Sequence, residues 1–365
     1  MLILLLVATA AYLATALMAV VLLGRKIIPR DAIGDAVLPH VAVVVAARDE
    51  EKILPVCLDA LLAQDYPADR LRIVVVNDYS EDGTSGVAHE FAQRDGRIRV
   101  VDSATAGLQP GKAAALAAGI ESTLAGVILT TDADCTAPSH WVRSMAQHLT
   151  RAGVGAIGGP TTVSGQSLQD KTQTIDWMLL LAVAGASSHA GRPITAMGLN
   201  MGFQRKPYDL LGGYESFSRS PTEDYELFRA IDGLPGYRSR LVVDPALLMV
   251  TQPVDTLREA FSQRRRWARG GLRASPSTYG LYILAWSANA LPILLLFFEP
   301  VPALICCLMK LAGDAAVISR FARRIRTSVP WRAFIPFELF LTAYVVLMPV
   351  SLLVAPDLKW KGRRL

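Results

Sequence analysis

The chain has 365 residues, 52% of them hydrophobic, and a mean hydropathy of +0.33 that is high for a water-soluble protein. A formal net charge of +5 fits a protein that lies against anionic lipid or holds phosphates, but no block of interleaved aromatic and basic residues points to nucleic acid. The four cysteines lack the paired spacing of a zinc site or a disulfide framework. Membrane segments are therefore the first features to look for.

The first predicted element is a transmembrane helix at the N-terminus. Residues 2–23 carry no charged side chain, and a run of this length crosses a hydrocarbon core of roughly 30 Å. A cleaved signal peptide is the alternative, but nothing basic precedes the run, and Arg25, Lys26 and Arg30 follow it. By the positive-inside rule these charges keep the next segment in the cytoplasm. We predict a membrane anchor over residues 1–24 and a cytosolic main domain.

Residues 41 to about 159 alternate between short β-branched runs and segments with helical periodicity, which is typical of a parallel sheet covered by helices. The predicted strands are residues 41–46, 71–76, 98–101, 127–130 and 154–157. Four helices are predicted between them, around residues 54–62, 87–91, 116–120 and 141–149. We therefore expect a doubly wound α/β domain that binds its ligand at the carboxyl ends of the strands.

Two aspartates follow the fourth predicted strand directly. Asp132 and Asp134 are separated by one residue, so alternation along an extended backbone points both carboxylates to one side. Two hard oxygen ligands suit Mg²⁺ or Mn²⁺, with phosphate and water in the remaining positions. A divalent ion there would neutralise the charge of a departing diphosphate. A solvated strand end or a helix cap is the alternative.

Polar loops elsewhere offer further candidates. The turn after the second strand contains Asn77 and Asp78, which can accept hydrogen bonds from a base or a ribose, although turns and helix caps favour the same residue types. Gly111 and Lys112 open a helix, where a lysine either binds phosphate or is simply solvated. Asp224 opens another predicted helix, whose dipole would keep it ionised as a general base, and capping is again the alternative.

Residues 255–275 are predicted to form an amphipathic helix at the membrane surface, with an apolar stripe on one side and arginines on the other. The apolar stripe consists of Leu257, Phe261, Ala268 and Leu272. Gln263 and Trp267 lie four residues apart on the flank between the two faces, next to Arg266. They can therefore face a ligand together. A guanidinium suits a diphosphate, and an indole stacks on a sugar.

Three further apolar runs, residues 279–298, 301–319 and 333–355, predict three C-terminal spans within 279–355. Lys310 and Asp314 lie in the second run, and we expect them to pair because unpaired charge in a membrane is costly. Whether that pair is structural or functional stays open. Three spans place the basic tail, residues 356–365, outside the cell, against the positive-inside rule. The sequence leaves open whether one span is re-entrant or miscounted.

Together these residues resemble the inverting family-2 glycosyltransferases, which have the Rossmann-like GT-A fold. The resemblance is to the branch shared by cellulose, hyaluronan and poly-N-acetylglucosamine synthases and ceramide glucosyltransferase. It rests on six elements that occur in family order: Arg48-Asp49-Glu50-Glu51, residues 77–84, Gly111-Lys112, Asp132-Ala133-Asp134, Thr222-Glu223-Asp224 and Gln263-Arg264-Arg265-Arg266-Trp267.

The resemblance implies a role for each matching side chain. Glu50, Asn77 and Asp78 would contact the nucleoside, and Lys112 and Arg266 the diphosphate. Asp132 and Asp134 would bind ribose, phosphates and the metal. Asp224 would deprotonate the acceptor, and Glu223, Gln263 and Trp267 would lie on the acceptor side. Three positions depart from the family: Asn77 replaces an aspartate, Ala46 a proline, and Gly198-Leu199-Asn200 the usual acceptor-side glycine motif. The departures leave the base, the sugar and the acceptor open.

The implied protein is a metal-dependent hexosyltransferase of the cell envelope, with a cytosolic catalytic domain over residues 40–254 and an integral position in a bacterial-type inner or plasma membrane. Four spans are few for a polysaccharide channel. The leading hypothesis is therefore transfer of one sugar from a UDP-sugar or similar donor to a lipid or lipid-linked acceptor. The alternatives are a processive polysaccharide synthase completed by a partner subunit or a homo-oligomer, and an inactive nucleotide-binding scaffold subunit.

Overall fold

A computed structural model describes residues 1–25, 37–217, 222–272 and 276–354, together with the backbone of two short strands beyond them. The helices are α1 (Leu2–Leu22), α2 (Leu54–Leu62), α3 (Thr84–Arg94), α4 (Lys112–Glu121), α5 (Trp141–Leu149), α6 (Leu168–His189), α7 (Arg205–Leu210), α8 (Glu223–Gly233), α9 (Leu257–Gly271), α10 (Pro276–Leu295), α11 (Pro300–Arg324) and α12 (Phe334–Val354). The strands are β1 (Val41–Ala47), β2 (Leu71–Asn77), β3 (Ile98–Asp102), β4 (Val127–Asp132), β5 (Cys135–Thr136), β6 (Val154–Gly158), β7 (Thr161–Val163), β8 (Met201–Gln204), β9 (Arg238–Leu241), β10 (Met249–Thr251), β11 (Lys359–Trp360) and β12 (Arg363–Arg364). Lys26, Arg30 and most of the tail 356–365 lie outside the described residues.

The main sheet has seven strands in the order β3-β2-β1-β4-β8-β6-β9. All five predicted strands are present, and β1 pairs in parallel with β2 and β4. The five predicted strands all run in the same direction, whereas β8, which was not predicted, runs antiparallel to both β4 and β6. This strand has only four residues, too few for a recognisable alternation. The fold is accordingly a GT-A-like α/β fold with a mixed sheet.

Both faces of the sheet are buried under helices, as the continuous apolar sequence of β1 requires. Alternate residues of β1 enter opposite cores: Val43 packs with α2 and α5, whereas Val44 packs with α4 and α8. The aspartates and the polar turns therefore follow directly from rigid, largely buried strands. A smaller sheet has the order β5-β10-β7, and its strand β5 directly follows the aspartate pair.

A second compact unit gathers residues 1–25, 163–194 and 253–365. Within it the four predicted membrane helices are present, as helices long and apolar enough to cross a membrane: Leu2–Leu22, Thr278–Leu295, Pro300–Arg324 and Trp331–Val354. The unit also contains α6, which was not predicted. Its 22 residues mix apolar, polar and small side chains all round the helix, and Ser167 and Asp170 form a capping box at its start.

The predicted ion pair between Lys310 and Asp314 is present, with Nζ and Oδ2 3.0 Å apart. Glu338 on α12 is a second carboxylate partner of Lys310, and Tyr12 on α1 donates to Asp314 Oδ1 at 2.5 Å. Three helices therefore meet at one buried polar cluster. Such contacts offset the cost of placing charge among apolar helices.

Candidate active site

The aspartate pair lies where β4 ends. Asp132 is the last residue of that strand and stands beside Ala46 of β1 in the sheet register. Its side chain is 31% exposed, so it can reach a ligand. Asp134 follows in the short connection to β5, and the Cys135 thiol donates to its Oδ1 at 3.3 Å. The rigid strand thus presents two carboxylates at the carboxyl edge of the sheet.

The electrostatics of Asp134 fit a cation. Burial, and then the neighbouring charge of Asp132, raise the pKa of Asp134 to about 6. Among the described residues no lysine or arginine forms an ion pair with Asp134, and no group of three or more His, Cys, Asp or Glu side chains there is arranged to hold a metal ion. Two hard carboxylates suit Mg²⁺ or Mn²⁺ only if a ligand such as a diphosphate supplies further oxygens.

Lys112 connects this pair to the start of α8. Its Nζ lies 2.5 Å from Asp132 Oδ1. Burial opposes its charge, but Asp132, Glu223 and Asp224 together raise the pKa of Lys112 above its ordinary value. The ammonium group is therefore charged and faces carboxylates from two separate segments. It offsets the negative charge of these protein carboxylates.

Gly111 sets the direction of Lys112. Its φ of +143° lies in a region that other residues avoid, and its N–H donates to Asp78 Oδ1 at 3.1 Å. Asp78 is almost fully buried, and its own N–H donates to Ala47 O at 2.8 Å. Asp78 therefore ties the end of β1 to the start of α4, a structural task in addition to its predicted contact with the nucleoside.

Asn77 is also held by the protein. Its Nδ2 donates to Asp102 Oδ1 at 2.7 Å, and Ser85 and His89 bind the same carboxylate. Burial raises the pKa of Asp102, but these hydrogen bonds outweigh it and keep that pKa below its usual range. Sequence reasoning did not single out Asp102, which occupies the end of β3 and so was visible only by its place in the sheet.

The loop with Glu50 and the turn after β2 fasten to each other. Glu50 N donates to Thr84 Oγ1 at 2.8 Å, and Glu51 Oε2 accepts from Gly83 N at 3.1 Å. The charge of Glu50 also contributes to the raised pKa of Asp134, so Glu50 lies on the same edge of the sheet. The predicted nucleoside-contacting residues and the aspartate pair are thus brought together.

Asp224 lies in the first turn of α8, and its carboxylate has a fixed orientation. Gly198 N donates to its Oδ2 at 2.7 Å, and Tyr225 N donates to its Oδ1 at 2.8 Å. Glu223, beside it, is 9% exposed. A Cβ atom on Gly198 would stand 2.8 Å from Asp224 Oδ2, so only glycine allows this approach. The tripeptide Gly198-Leu199-Asn200 departs from the family motif, but its glycine contacts Asp224 directly.

Gln263, Arg266 and Trp267 lie on α9, in the compact unit that contains the apolar helices. The buried side of α9 is formed by Ala260, Arg264, Gly270 and Gly271, whereas Leu257 and Leu272 of the predicted apolar stripe are more than half exposed. Those leucines are free to meet lipid, as an interfacial helix requires. Arg264, to which the sequence analysis gave no role, is the buried arginine of the motif.

Comparison with known proteins supports the predicted class of enzyme. A model of the family described as Glycosyl transferase family 2 matches residues 42–212. The chain is 31% identical over 241 residues to the probable glycosyltransferase YdaM of Bacillus subtilis, a match that covers 64% of this chain and 55% of that protein. It is 26% identical over 238 residues to the beta-monoglucosyldiacylglycerol synthase of Synechocystis sp., with coverage of 64% and 48%. The matched region thus spans about half the length of these curated relatives.

Among solved structures, the chain is similar to a mannosyltransferase from Pyrobaculum calidifontis in complex with GDP-Man and Mn²⁺. The TM-score is 0.63, the sequence identity is 20%, and the match covers 97% of this chain and 99% of the other. This likeness confirms the GT-A-like fold. The aspartate pair, the polar turn after β2 and Lys112 therefore lie in residues 42–212, the segment that is similar in sequence to family-2 glycosyltransferases. Asp224 and α9 lie beyond that segment.

Proposed function

We propose that the protein is an inverting glycosyltransferase that moves one hexose from a nucleoside diphosphate sugar to a hydroxyl group of a lipid or lipid-linked acceptor. The observation that carries the proposal is the position of Lys112. It contacts Asp132 and interacts electrostatically with Glu223 and Asp224. A donor-binding pair and a candidate base are therefore within electrostatic reach of one cation. The match of residues 42–212 to family 2 supports the same reading.

The chemical step is a direct displacement at the anomeric carbon. Asp224 accepts the proton of the acceptor hydroxyl, the hydroxyl oxygen forms the new bond to C1, and the nucleoside diphosphate leaves with the electron pair of the broken C1–O bond. Attack opposite the leaving group inverts the anomeric configuration. The hydrogen bonds from Gly198 N and Tyr225 N hold the carboxylate in a single orientation before the acceptor arrives.

The leaving group is received by positive charge. The ammonium group of Lys112 would leave Asp132 and bind the diphosphate as negative charge develops there. Asp132 and Asp134 would hold Mg²⁺ or Mn²⁺, which supplies further neutralisation of the diphosphate when bound. Glu50, Asn77 and Asp78 line the nucleoside side of the same edge. The bound state of the similar mannosyltransferase, with GDP-Man and Mn²⁺, supports a nucleotide sugar with a divalent ion as the donor complex.

The acceptor is proposed from the membrane unit. Four helices of sufficient length and hydropathy would place the protein in a membrane, with residues 40–254 as its cytosolic catalytic domain. The similarity to a beta-monoglucosyldiacylglycerol synthase supports a lipid bearing a free hydroxyl. Residues 255–275, with Gln263 and Trp267, would meet that acceptor, and Arg266 would meet the diphosphate at the membrane surface.

The deciding experiment uses the full-length protein in nanodiscs, Mn²⁺ or Mg²⁺, lipid extract and radiolabelled UDP- and GDP-sugars in parallel. We expect one of the donors to yield lipids that carry a single added sugar, identified by mass spectrometry. A polymer ladder would instead indicate a processive synthase. Nucleotide binding without any transfer would indicate a scaffold subunit. Lipids of cells with and without the protein provide the matching comparison in vivo.

A further inference from the structure

The most buried arginine of α9 is not the arginine that the family motif assigns to the diphosphate. Arg264 is 5% exposed, whereas Arg266 is only half-buried. The guanidinium of Arg264 donates from Nε to Asp176 Oδ2 at 2.7 Å and from Nη2 to the same oxygen, and from Nη1 to Gln263 Oε1 at 2.7 Å. One side chain therefore joins a motif residue to a buried carboxylate on α6.

The same guanidinium also contacts the tryptophan of the motif. Arg264 Cζ lies 4.2 Å from the centroid of the Trp267 ring and 6.0 Å from that of Trp177, within the range of cation–π contact. The two indole rings meet edge to face, with centroids 5.3 Å apart and an interplanar angle of 89°. Arg264 and Trp177 thus fix two sides of the Trp267 ring.

Helix α6 supplies the fixed support for this arrangement. Gln169, Gln173 and Asp176 recur at helical spacing and so share one face of α6. Gln173 exchanges two hydrogen bonds with the backbone of Val254, at 2.9 and 3.0 Å, just before α9 begins. Asp176 Oδ1 accepts from Tyr344 OH on α12 at 3.1 Å. The carboxylate that holds Arg264 is therefore itself held from a candidate membrane helix.

A buried ion pair is a weak source of stability, because the cost of removing two charges from water offsets their attraction. An apolar side chain of similar volume would fill the site with less cost. What an apolar residue cannot do is direct Gln263 and Trp267 at the same time. The guanidinium binds Asp176 and Gln263 through its N–H groups and contacts the Trp267 ring through its face. This arrangement favours a role in orienting Gln263 and Trp267.

We propose that Arg264 is a positioning residue for acceptor binding. Anchored by Asp176, it holds the Gln263 amide and the Trp267 ring in the orientation in which they receive the acceptor. The inference rests on the proposed function, because it assumes that these two side chains meet the acceptor. It predicts that loss of Arg264 weakens the acceptor interaction while donor binding is preserved.

The test compares Arg264→Gln, Arg264→Lys and Asp176→Asn with the wild type in nanodiscs, with KM for acceptor and for donor measured separately. We expect the acceptor KM to rise about tenfold or more in Arg264→Gln and Asp176→Asn, with donor KM and kcat changing less than about threefold. Arg264→Lys keeps the charge near Asp176 and the ring, so it should recover part of the loss. Thr342→Val, which removes the hydrogen bond to Asn289 on the same helix as Tyr344, is the matched control and should leave both KM values unchanged.

Trp267→Ala separates failure of the inference from failure of the proposed function. If Trp267→Ala leaves the acceptor KM unchanged, the proposed acceptor side of α9 is wrong. If Trp267→Ala raises it and Arg264→Gln does not, Arg264 is not a positioning residue. Equal losses of donor and acceptor binding in both Arg264→Gln and Asp176→Asn would show a general structural role and would also overturn the inference. When Arg264→Gln and Trp267→Ala are combined, their effects on the acceptor KM should be less than additive, since both act through the Trp267 ring.

Discussion

Lys112 Nζ and Asp132 Oδ1 are 2.5 Å apart at the carboxyl edge of the main sheet. The lysine begins α4 and the aspartate ends β4, so two rigid elements fix the distance between them. Because further carboxylates at Glu223 and Asp224 also act on Lys112, the cation balances the donor side and the acceptor side of the proposed site. The arriving diphosphate would have to compete with Asp132 for this ammonium group.

Replacement of Lys112 should therefore lower the affinity for the donor more than it lowers the rate of proton removal from the acceptor. For Lys112→Met we expect the dissociation constant of the nucleoside diphosphate to rise about 10- to 100-fold, the usual worth of a hydrogen bond to a charged group. Calorimetric titration of UDP and GDP in the presence of Mn²⁺ measures this. Lys112→Arg keeps the charge and should lose less. Equal binding by Lys112→Met and the wild type would mean that the lysine serves only the protein carboxylates.

Asp224→Asn tests the proposed base. The asparagine keeps the shape of the side chain but cannot accept the acceptor proton, so kcat should fall by about 10²- to 10⁴-fold, the range for loss of a general base. Nucleotide affinity should stay close to that of the wild type. Single-turnover transfer to lipid, measured with radiolabelled donor, gives the rate. Full activity of Asp224→Asn would show that another group removes the proton.

Asp134 should lower the stability of the metal-free protein. Its folded-state pKa of about 6 lies above its unfolded value of 3.8, so the folded state retains a proton that the unfolded state releases between these pH values. Stability is therefore lost as pH rises from about 4 to 6, by up to roughly 3 kcal/mol, and stays lower above that range.

The corresponding prediction concerns Asp134→Asn at pH 7.5 in EDTA. We expect its melting temperature to exceed that of the wild type, because the variant removes the buried negative charge. Addition of Mn²⁺ with nucleotide should then stabilise the wild type more than the variant. A variant that melts below the wild type in EDTA, or that gains equally from Mn²⁺, would contradict the assignment of Asp134 to the metal.

The strands and the aspartate pair could be predicted because short runs rich in β-branched residues, bounded by polar turns, leave few alternatives to a buried strand. The contacts by which α6 holds α9 could not be predicted. Helix α6 carries apolar side chains on several faces, and the role of Gln173 and Asp176 depends on partners at Val254 and Arg264, about 80 residues away in the chain. Likewise, no sequence signal showed the contact of Gly198 with Asp224, since it is made by a backbone N–H group.

Gly198→Ala tests how far the orientation of Asp224 matters. The new Cβ atom would stand 2.8 Å from Asp224 Oδ2, so the carboxylate or the backbone of residues 198–200 must move. Gly198 O also accepts from the buried Thr130 Oγ1 at 2.6 Å, which restrains the backbone and directs the displacement to the side chain of Asp224. We expect kcat to fall about 10- to 100-fold, because a displacement near 1 Å is enough to misplace a reacting group.

The matched control is Gly126→Ala, whose Cβ atom would meet nothing within 4 Å and whose activity should be unchanged. Nucleotide binding separates misorientation from misfolding: Gly198→Ala should bind donor as tightly as the wild type while it transfers sugar slowly. Combined with Asp224→Asn, the glycine substitution should add little further loss, because the base that it misplaces is already absent. Full additivity in that double variant would mean that Gly198 affects transfer by a route other than Asp224.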